Sequence, residues 1–380
     1  GQFCTVLGHS NEEIIAAVKK QMKNLVHTSS SIISEEVLLC AENIHRLSGE
    51  MHAYSILLST GAEAVEFAIR YGKHLKKKSG VICFNKGYHG LTLGTQSVTF
   101  GGKFAYPPVS NVYMTETPPN FITENEEYFY MLQFEELVKR VADEVALVIM
   151  EPIVSVGGMI YPSKSYFRKV REICDKYDVH LILDEIATGF LRTGKMFAAN
   201  HADITPDIMC ISKGLTGGYM PMAIAITTDK IYDAFYDDYN THKAFMHSHT
   251  YSGNPLGASC ALGVLDILES GKIQEHLKEV TPYFNNLIKE TFLNHKNVGE
   301  IRSIGLINAI ELVKNKNTKE PFESSLRIGY QIYKKALEKG VLLRPLGNVI
   351  YFNPPLIIKK EDMDFVVKIA FECLNEILPN

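Results

Sequence analysis

His180-Leu181-Ile182-Leu183-Asp184-Glu185 and Asp207-Ile208-Met209-Cys210-Ile211-Ser212-Lys213-Gly214 decide the fold. Each is a short apolar run that stops at a polar or charged residue. A continuous apolar run, without alternation, suits a strand buried on both faces, as in a parallel sheet covered by helices. Ligands of such sheets bind beyond the carboxyl ends of the strands. Asp184 and Lys213 both stand at such an end.

The same alternation repeats on either side. Residues 56–59, 81–84 and 145–150 read as further strands, and residues 61–78, 133–142 and 163–177 as helices. Upstream, residues 11–26 and 35–47 carry apolar residues at helical spacing. Residues 100–132 are irregular and rich in Pro, Tyr and Asn. After about residue 275 the texture changes: amphipathic helical stretches (273–294, 324–339, 360–378) alternate with apolar runs at 305–312 and 349–352, and 315–321 reads as a loop. The expectation is an α/β protein. A mainly parallel sheet forms a large domain over residues 46–275, and residues 1–45 and 276–380 form a smaller α+β domain.

A chain of 380 residues is too long for one small core, which agrees with two domains. Hydrophobic residues make up 46% and charged residues 22%, an ordinary globular balance. The net charge of −4 and the lack of a long basic run argue against nucleic acid and anionic membranes as partners. Seven scattered cysteines, none in a C-x-x-C pair, suit a reduced, cytoplasmic protein. No apolar run reaches membrane-spanning length. The opening Gly1-Gln2-Phe3-Cys4 reads like the middle of something, so an upstream segment is expected.

The residues just past each strand carry the chemistry. After 56–59 comes Thr60-Gly61-Ala62-Glu63, after 81–84 Asn85-Lys86-Gly87-Tyr88-His89-Gly90, and after 145–150 Glu151-Pro152. Each has a plain alternative. Thr60-Gly61 alone is a helix cap and Asp184 is another; Tyr88 alone is a core or surface residue. Gly61 and Ala62 at a helix start also let backbone N–H groups approach a phosphate. Lys213 is the sharpest feature, because lysine rarely sits between a buried strand and a Gly-rich turn. A desolvated lysine can form a Schiff base. Lysine, carboxylate, phosphate cradle and aromatic together describe a site for pyridoxal phosphate. No metal-ligand spacing such as H-E-x-x-H occurs, and His247-x-His249 reads as loop histidines. No G-x-G-x-x-G follows a strand and no G-x-S-x-G occurs, which argues against dinucleotide enzymes and hydrolases.

At these residues the chain resembles the class III aminotransferases, a group of fold type I pyridoxal-phosphate enzymes. The resemblance runs from Gly1 to the C-terminus. It is most specific at Leu183-Asp184-Glu185-Ile186-Ala187-Thr188-Gly189-Phe190, Ser212-Lys213-Gly214-Leu215-Thr216-Gly217-Gly218 and Thr250-Tyr251-Ser252-Gly253-Asn254-Pro255. It implies that Lys213 holds the cofactor and shuttles the substrate proton, and that Asp184 pairs with the pyridine nitrogen. It implies that Tyr88 and Ile186 cover the two ring faces and that Gly61 and Ala62 bind the phosphate. Thr250 would reach the phosphate from a second subunit, in a homodimer with shared active sites. Glu151 would support the site. The substrates would be a small-molecule amine donor and a keto acceptor.

Within the family, Tyr351 stands where many members have a carboxylate-binding arginine, and Val156 where many have a switching glutamate. The run Arg344-Pro345-Leu346-Gly347-Asn348-Val349-Ile350-Tyr351 looks like the 7,8-diaminopelargonate group of biotin synthesis, in which the arginine binds a distant carboxylate. Gly1-Gln2 looks more like dialkylglycine decarboxylase, in which the glutamine lies near the scissile carboxylate. Three features depart from expectation: no Trp at all, Leu91 where the diaminopelargonate group has Asp after Tyr-His-Gly, and Leu191 where the family has glycine. The alternatives are another ω-amine or amino-acid aminotransferase, a decarboxylating relative, or a non-catalytic homologue, which would need neither Lys213 nor Asp184.

Overall fold

The computed structural model describes residues 1–29, 31–49, 54–103, 111–119 and 121–379. Seven strands form the main sheet: β1 (Tyr54–Leu58), β2 (Gly80–Phe84), β3 (Asn111–Thr115), β4 (Val145–Met150), β5 (His180–Asp184), β6 (Ile208–Ile211) and β7 (Ala223–Thr227). Their order is β1-β7-β6-β5-β4-β2-β3. Every pairing from β6 to β3 is parallel, and β7 alone runs against its neighbours. Strands β2, β4 and β6 are apolar and buried from end to end, as their lack of alternation predicts, and β5 is equally buried though it begins at His180 and ends at Asp184.

Ten α-helices are described: α1 (Glu12–Met22), α2 (Glu35–Leu47), α3 (Gly61–Lys76), α4 (Glu124–Val141), α5 (Lys164–Lys176), α6 (Asp229–Asp233), α7 (Pro255–Glu269), α8 (Lys272–Phe292), α9 (Ile328–Glu338) and α10 (Lys360–Ile377). Helix α3 packs on one face of the main sheet, against β4, β6 and β7. Helices α4 and α5 pack together and share a second core with the other face. The C-terminal sheet contains β8 (Val298–Ile304), β9 (Ile307–Asn315), β10 (Glu320–Pro321), β11 (Arg344–Leu346) and β12 (Val349–Phe352). All its pairings are antiparallel. Helices α1 and α2 pack on α7. One core cluster runs from Val6 and Ile14 through Leu265 to Phe352 and Val367, so the two sheets are bound through a shared apolar core.

Three readings of the sequence are corrected by the fold. The irregular stretch 100–132 holds strand β3 and the start of α4; its residues 104–110 and 120 lie outside the described ones. Thr123 caps α4 with a reciprocal pairing to Glu126, a signal that moves the helix start upstream of 133. The apolar run 305–312 is half of the β8–β9 hairpin, turned at Gly305-Leu306. The helical stretch 324–339 is broken: Ser324–Leu326 is a 3₁₀ turn, and α9 begins at Ile328 after Arg327 takes a left-handed φ of 48°.

Candidate active site

Two strand ends and one helix start converge on a cavity of about 230 Å³. Asp184 ends β5, Lys213 follows β6, and Gly61 and Ala62 open α3; all four line it, together with Tyr88, Glu151 and Ile186. The site residues read from the strand ends are therefore brought together.

The α3 start is built for close approach. Thr60 Oγ1 accepts the Glu63 N–H at 3.2 Å, and Glu63 reaches back to the N–H groups of Ser59 and Thr60. The N–H groups of a first turn have no intrahelical partner; with Glu63 and Ala64 bonded to Thr60, those of Gly61 and Ala62 are left to serve a ligand. A Cβ on Gly61 would come within 2.8 Å of Ile186 Cδ1, so glycine lets Ile186 lie against the helix start. Gly90, at φ +106°, brings the Tyr88-His89-Gly90 loop onto Ala62 in the same way; a Cβ there would stand 2.7 Å from Ala62 Cβ.

The Asp184 carboxylate is 4% exposed and held at both oxygens. The His89 ring approaches Oδ2 with Nδ1 at 2.9 Å, and the Ile186 N–H donates to Oδ1 at 3.1 Å. Glu185, its chain neighbour, turns away: it accepts from Thr188 and from the N–H groups of Ala198 and Ala199, and so ties down the next loop. Glu151 accepts from the Tyr88 N–H at 2.9 Å and from the Ser155 hydroxyl at 2.5 Å. Burial pushes the Glu151 carboxyl above its ordinary range, His89 opposes this, and Asp184 adds to it.

Lys213 has a φ of +35°, an uncommon backbone for a side chain with a Cβ. The neighbouring turn fixes it, since the Ser212 hydroxyl donates to the Met222 carbonyl at 2.7 Å and the Leu215 N–H to Ser212 O. Its Nζ lies 5.5 Å from the Phe3 ring centroid. Phe3 is stacked in turn with Tyr351, centroids 6.2 Å apart. Tyr351 is thus linked to the cavity through Phe3, which the sequence reading passed over for Gln2. Gln2 is exposed and does not line the cavity. Arg344 is exposed and pairs with Tyr351 across β11–β12; burial pushes the Tyr351 hydroxyl up, and the Arg344 charge opposes it. Thr250 is exposed and outside the cavity wall of its own chain. His89, Leu91 and Ser155 also line the cavity; the sequence shows His89 in the run past β2 and Leu91 as a departure, without marking either as a site residue, and nothing short of the fold points to Ser155.

The donor set suits pyridoxal phosphate: N–H groups at a helix start for a phosphate, a fixed carboxylate for a ring nitrogen, and a lysine in the same wall. The class-III aminotransferase family model matches residues 2–374. The chain belongs to the class-III aminotransferases. An adenosylmethionine-8-amino-7-oxononanoate aminotransferase from Geobacter sulfurreducens is 38% identical, over 96% of this chain and 84% of that one. The crystal structure of the enzyme of that name from Methanocaldococcus jannaschii superposes with a TM-score of 0.91 at 34% identity, covering 98% and 87% of the two chains. A transaminase from the marine bacterium Virgibacillus gives a TM-score of 0.92 at 28% identity, covering 99% and 87%. Like other class-III aminotransferases, this one is a pyridoxal-phosphate-dependent enzyme of fold type I. Among its described residues, no helix is long and apolar enough to cross a membrane.

Proposed function

We propose that this aminotransferase converts 8-amino-7-oxononanoate to 7,8-diaminopelargonate in biotin synthesis, in the cytoplasm, as a homodimer. The observation that carries the substrate reading is the Arg344–Tyr351 pair beside Phe3. It sets a cation at the far end of an aromatic wall that starts at Lys213. A long keto acid with a terminal carboxylate spans such a wall. Relatives that carry this substrate in their names are 31–38% identical over at least 96% of the chain, which supports the same reading.

Lys213 would hold the cofactor covalently through Nζ and move the proton at the substrate's amino-bearing carbon. Asp184 would pair with the pyridine nitrogen, Tyr88 and Ile186 would cover the ring faces, and Gly61 and Ala62 would bind the phosphate. When bound, pyridoxal phosphate supplies an electron-withdrawing ring that takes up the charge left by that proton. Thr250 would complete the phosphate site of a second subunit. Mixed dimers of Thr250→Ala and Lys213→Ala chains test this: one of the two sites would be intact if Thr250 acts across the interface, and neither if it acts within its own chain. The decarboxylating alternative needs Gln2 at the reacting carbon, and Gln2 is exposed away from the cavity wall.

A donor–acceptor screen tests the whole reading. With 8-amino-7-oxononanoate as acceptor, turnover should exceed that with simple ketones and short keto acids. Borohydride reduction and peptide mapping should place the cofactor on Lys213, and Lys213→Ala should give no reduced adduct. Adduct on another lysine, or equal turnover with all acceptors, would overturn the corresponding half of the proposal.

A further inference from the structure

Glu151 lines two cavities. One is the cavity that holds Lys213; the other is a chamber of about 10 Å³ walled by Phe84, Gly87 and Val154. Roughly 10–15 Å³ is room for one water molecule. Two hydroxyl-bearing residues border this chamber, Thr117 and Tyr166, each 2% exposed. Among the described residues, neither hydroxyl has a hydrogen-bond partner. Buried hydroxyls are seldom left so, and a polar chamber of this size is where a structural water settles.

The chamber adjoins two larger spaces through shared wall residues. It shares Tyr166 with a groove of about 440 Å³ beside α4. It shares Pro118 and Pro162 with a cavity of about 280 Å³ into whose wall Tyr161 brings a third buried, unpartnered hydroxyl.

We propose that the chamber is a water site joining Thr117 Oγ1, Tyr166 Oη and the Glu151 carboxyl, and that Glu151 exchanges its proton with solvent by this rear route rather than through the substrate mouth. Burial and the nearby Asp184 favour a proton on Glu151, whereas the donors around it and His89 favour the charged form, with burial the largest effect. The Tyr88 N–H and the Ser155 N–H and O–H donate to it, Asp184 and His89 stand near, and Lys213 lines the same cavity. No cation bonds it directly among the described residues, and burial pushes its acidity down. The exchange leaves composition unchanged: Glu151 gives its proton to the water and takes another from it. None of this depends on which amine or keto acid the enzyme uses.

The test uses holoenzyme whose cofactor has been fixed by borohydride, so that the substrate mouth is filled. The carboxylic-acid carbonyl band of Glu151, assigned by its loss in Glu151→Gln, is followed by infrared after transfer to D₂O. Crystal structures of the wild type and of the Thr117→Val/Tyr166→Phe variant accompany it. The wild type should show one water bonded to Thr117 and Tyr166 and a fast isotope shift. The variant should lack the water and exchange on the order of tenfold more slowly. Should the double variant fail to fold, Tyr166→Phe alone serves. No water in the wild-type chamber, no acid band lost in Glu151→Gln, or equal exchange rates would each overturn the proposal.

Discussion

Asp184 Oδ2 lies 2.9 Å from His89 Nδ1, with both side chains buried. Together with the Ile186 N–H on Oδ1, this contact sets the carboxylate's direction before any ligand arrives. A fixed charge at a developing charge is where an enzyme gains most. Asp184→Ala should therefore lower kcat by on the order of 10²–10³-fold. His89→Gln, which leaves the charge but loosens its aim, should lower it less. Steady-state kinetics with cofactor in excess checks both, and near-normal turnover in Asp184→Ala would refute the role.

Arg344 is exposed, so any bond it makes to a substrate carboxylate is made at a wet rim. A charge-assisted contact of that kind is worth roughly 1–2 kcal/mol, about five- to thirty-fold in KM. Arg344→Ala should raise KM by that factor for a long keto acid and leave a neutral amine unchanged. Equal effects on both substrates would mark Arg344 as structural.

Asp207, just before β6, ties together the starts of the two strands that carry Asp184 and Lys213. It accepts from Arg171 Nη1 and from the Leu181 N–H, each at 2.7 Å, and stands beside His180. Burial alone would raise its pKa, but the bonds from His180, Arg171 and Leu181 outweigh burial and hold the carboxyl well below the usual carboxylate range. The folded pKa is depressed, so its stabilisation is complete above the unfolded value of about 3.9 and is lost as pH falls toward the folded one. Asp207→Asn should lower Tm at pH 7, and the gap to wild type should shrink below about pH 4. A gap that stays constant with pH would show that charge is not the cause.

The legible parts of this fold were those whose reason is local. Strand β12 is evident from Val349-Ile350-Tyr351-Phe352, and helix α2 from its spacing, residue for residue. Strand β7 was missed although Ile224, Ile226 and Thr227 favour strands; its place is set by pairing with β1, far upstream, and with β6. Strand β3 lies at the sheet edge, is partly exposed, and lacks the apolar run that marked its neighbours. At the site, Lys213 and Asp184 were legible because a charge after a buried strand is locally costly. His89 was not, since its partner is 95 residues away. Nor was Phe3, which gains meaning only between Lys213 and Tyr351.

Leu191, which replaces the glycine usual in the family, has a φ of +61° and is 4% exposed. The backbone explains why glycine suits the place: a Cβ in the left-handed region costs roughly 1–2 kcal/mol. Leucine is kept there by burial in the core cluster that also contains Phe190 and Leu215. Full burial of such a side chain returns about 1.5–3 kcal/mol, enough to offset the strain. The order of two truncations separates these effects. Leu191→Ala loses the packing and keeps the strained Cβ, whereas Leu191→Gly loses the packing and relieves the strain. The glycine variant should therefore be the more stable by about 1 kcal/mol, the reverse of the order in a helix interior. Urea unfolding of the two variants measures the difference, and an alanine variant as stable as the glycine one would show that the left-handed backbone is not strained at this position.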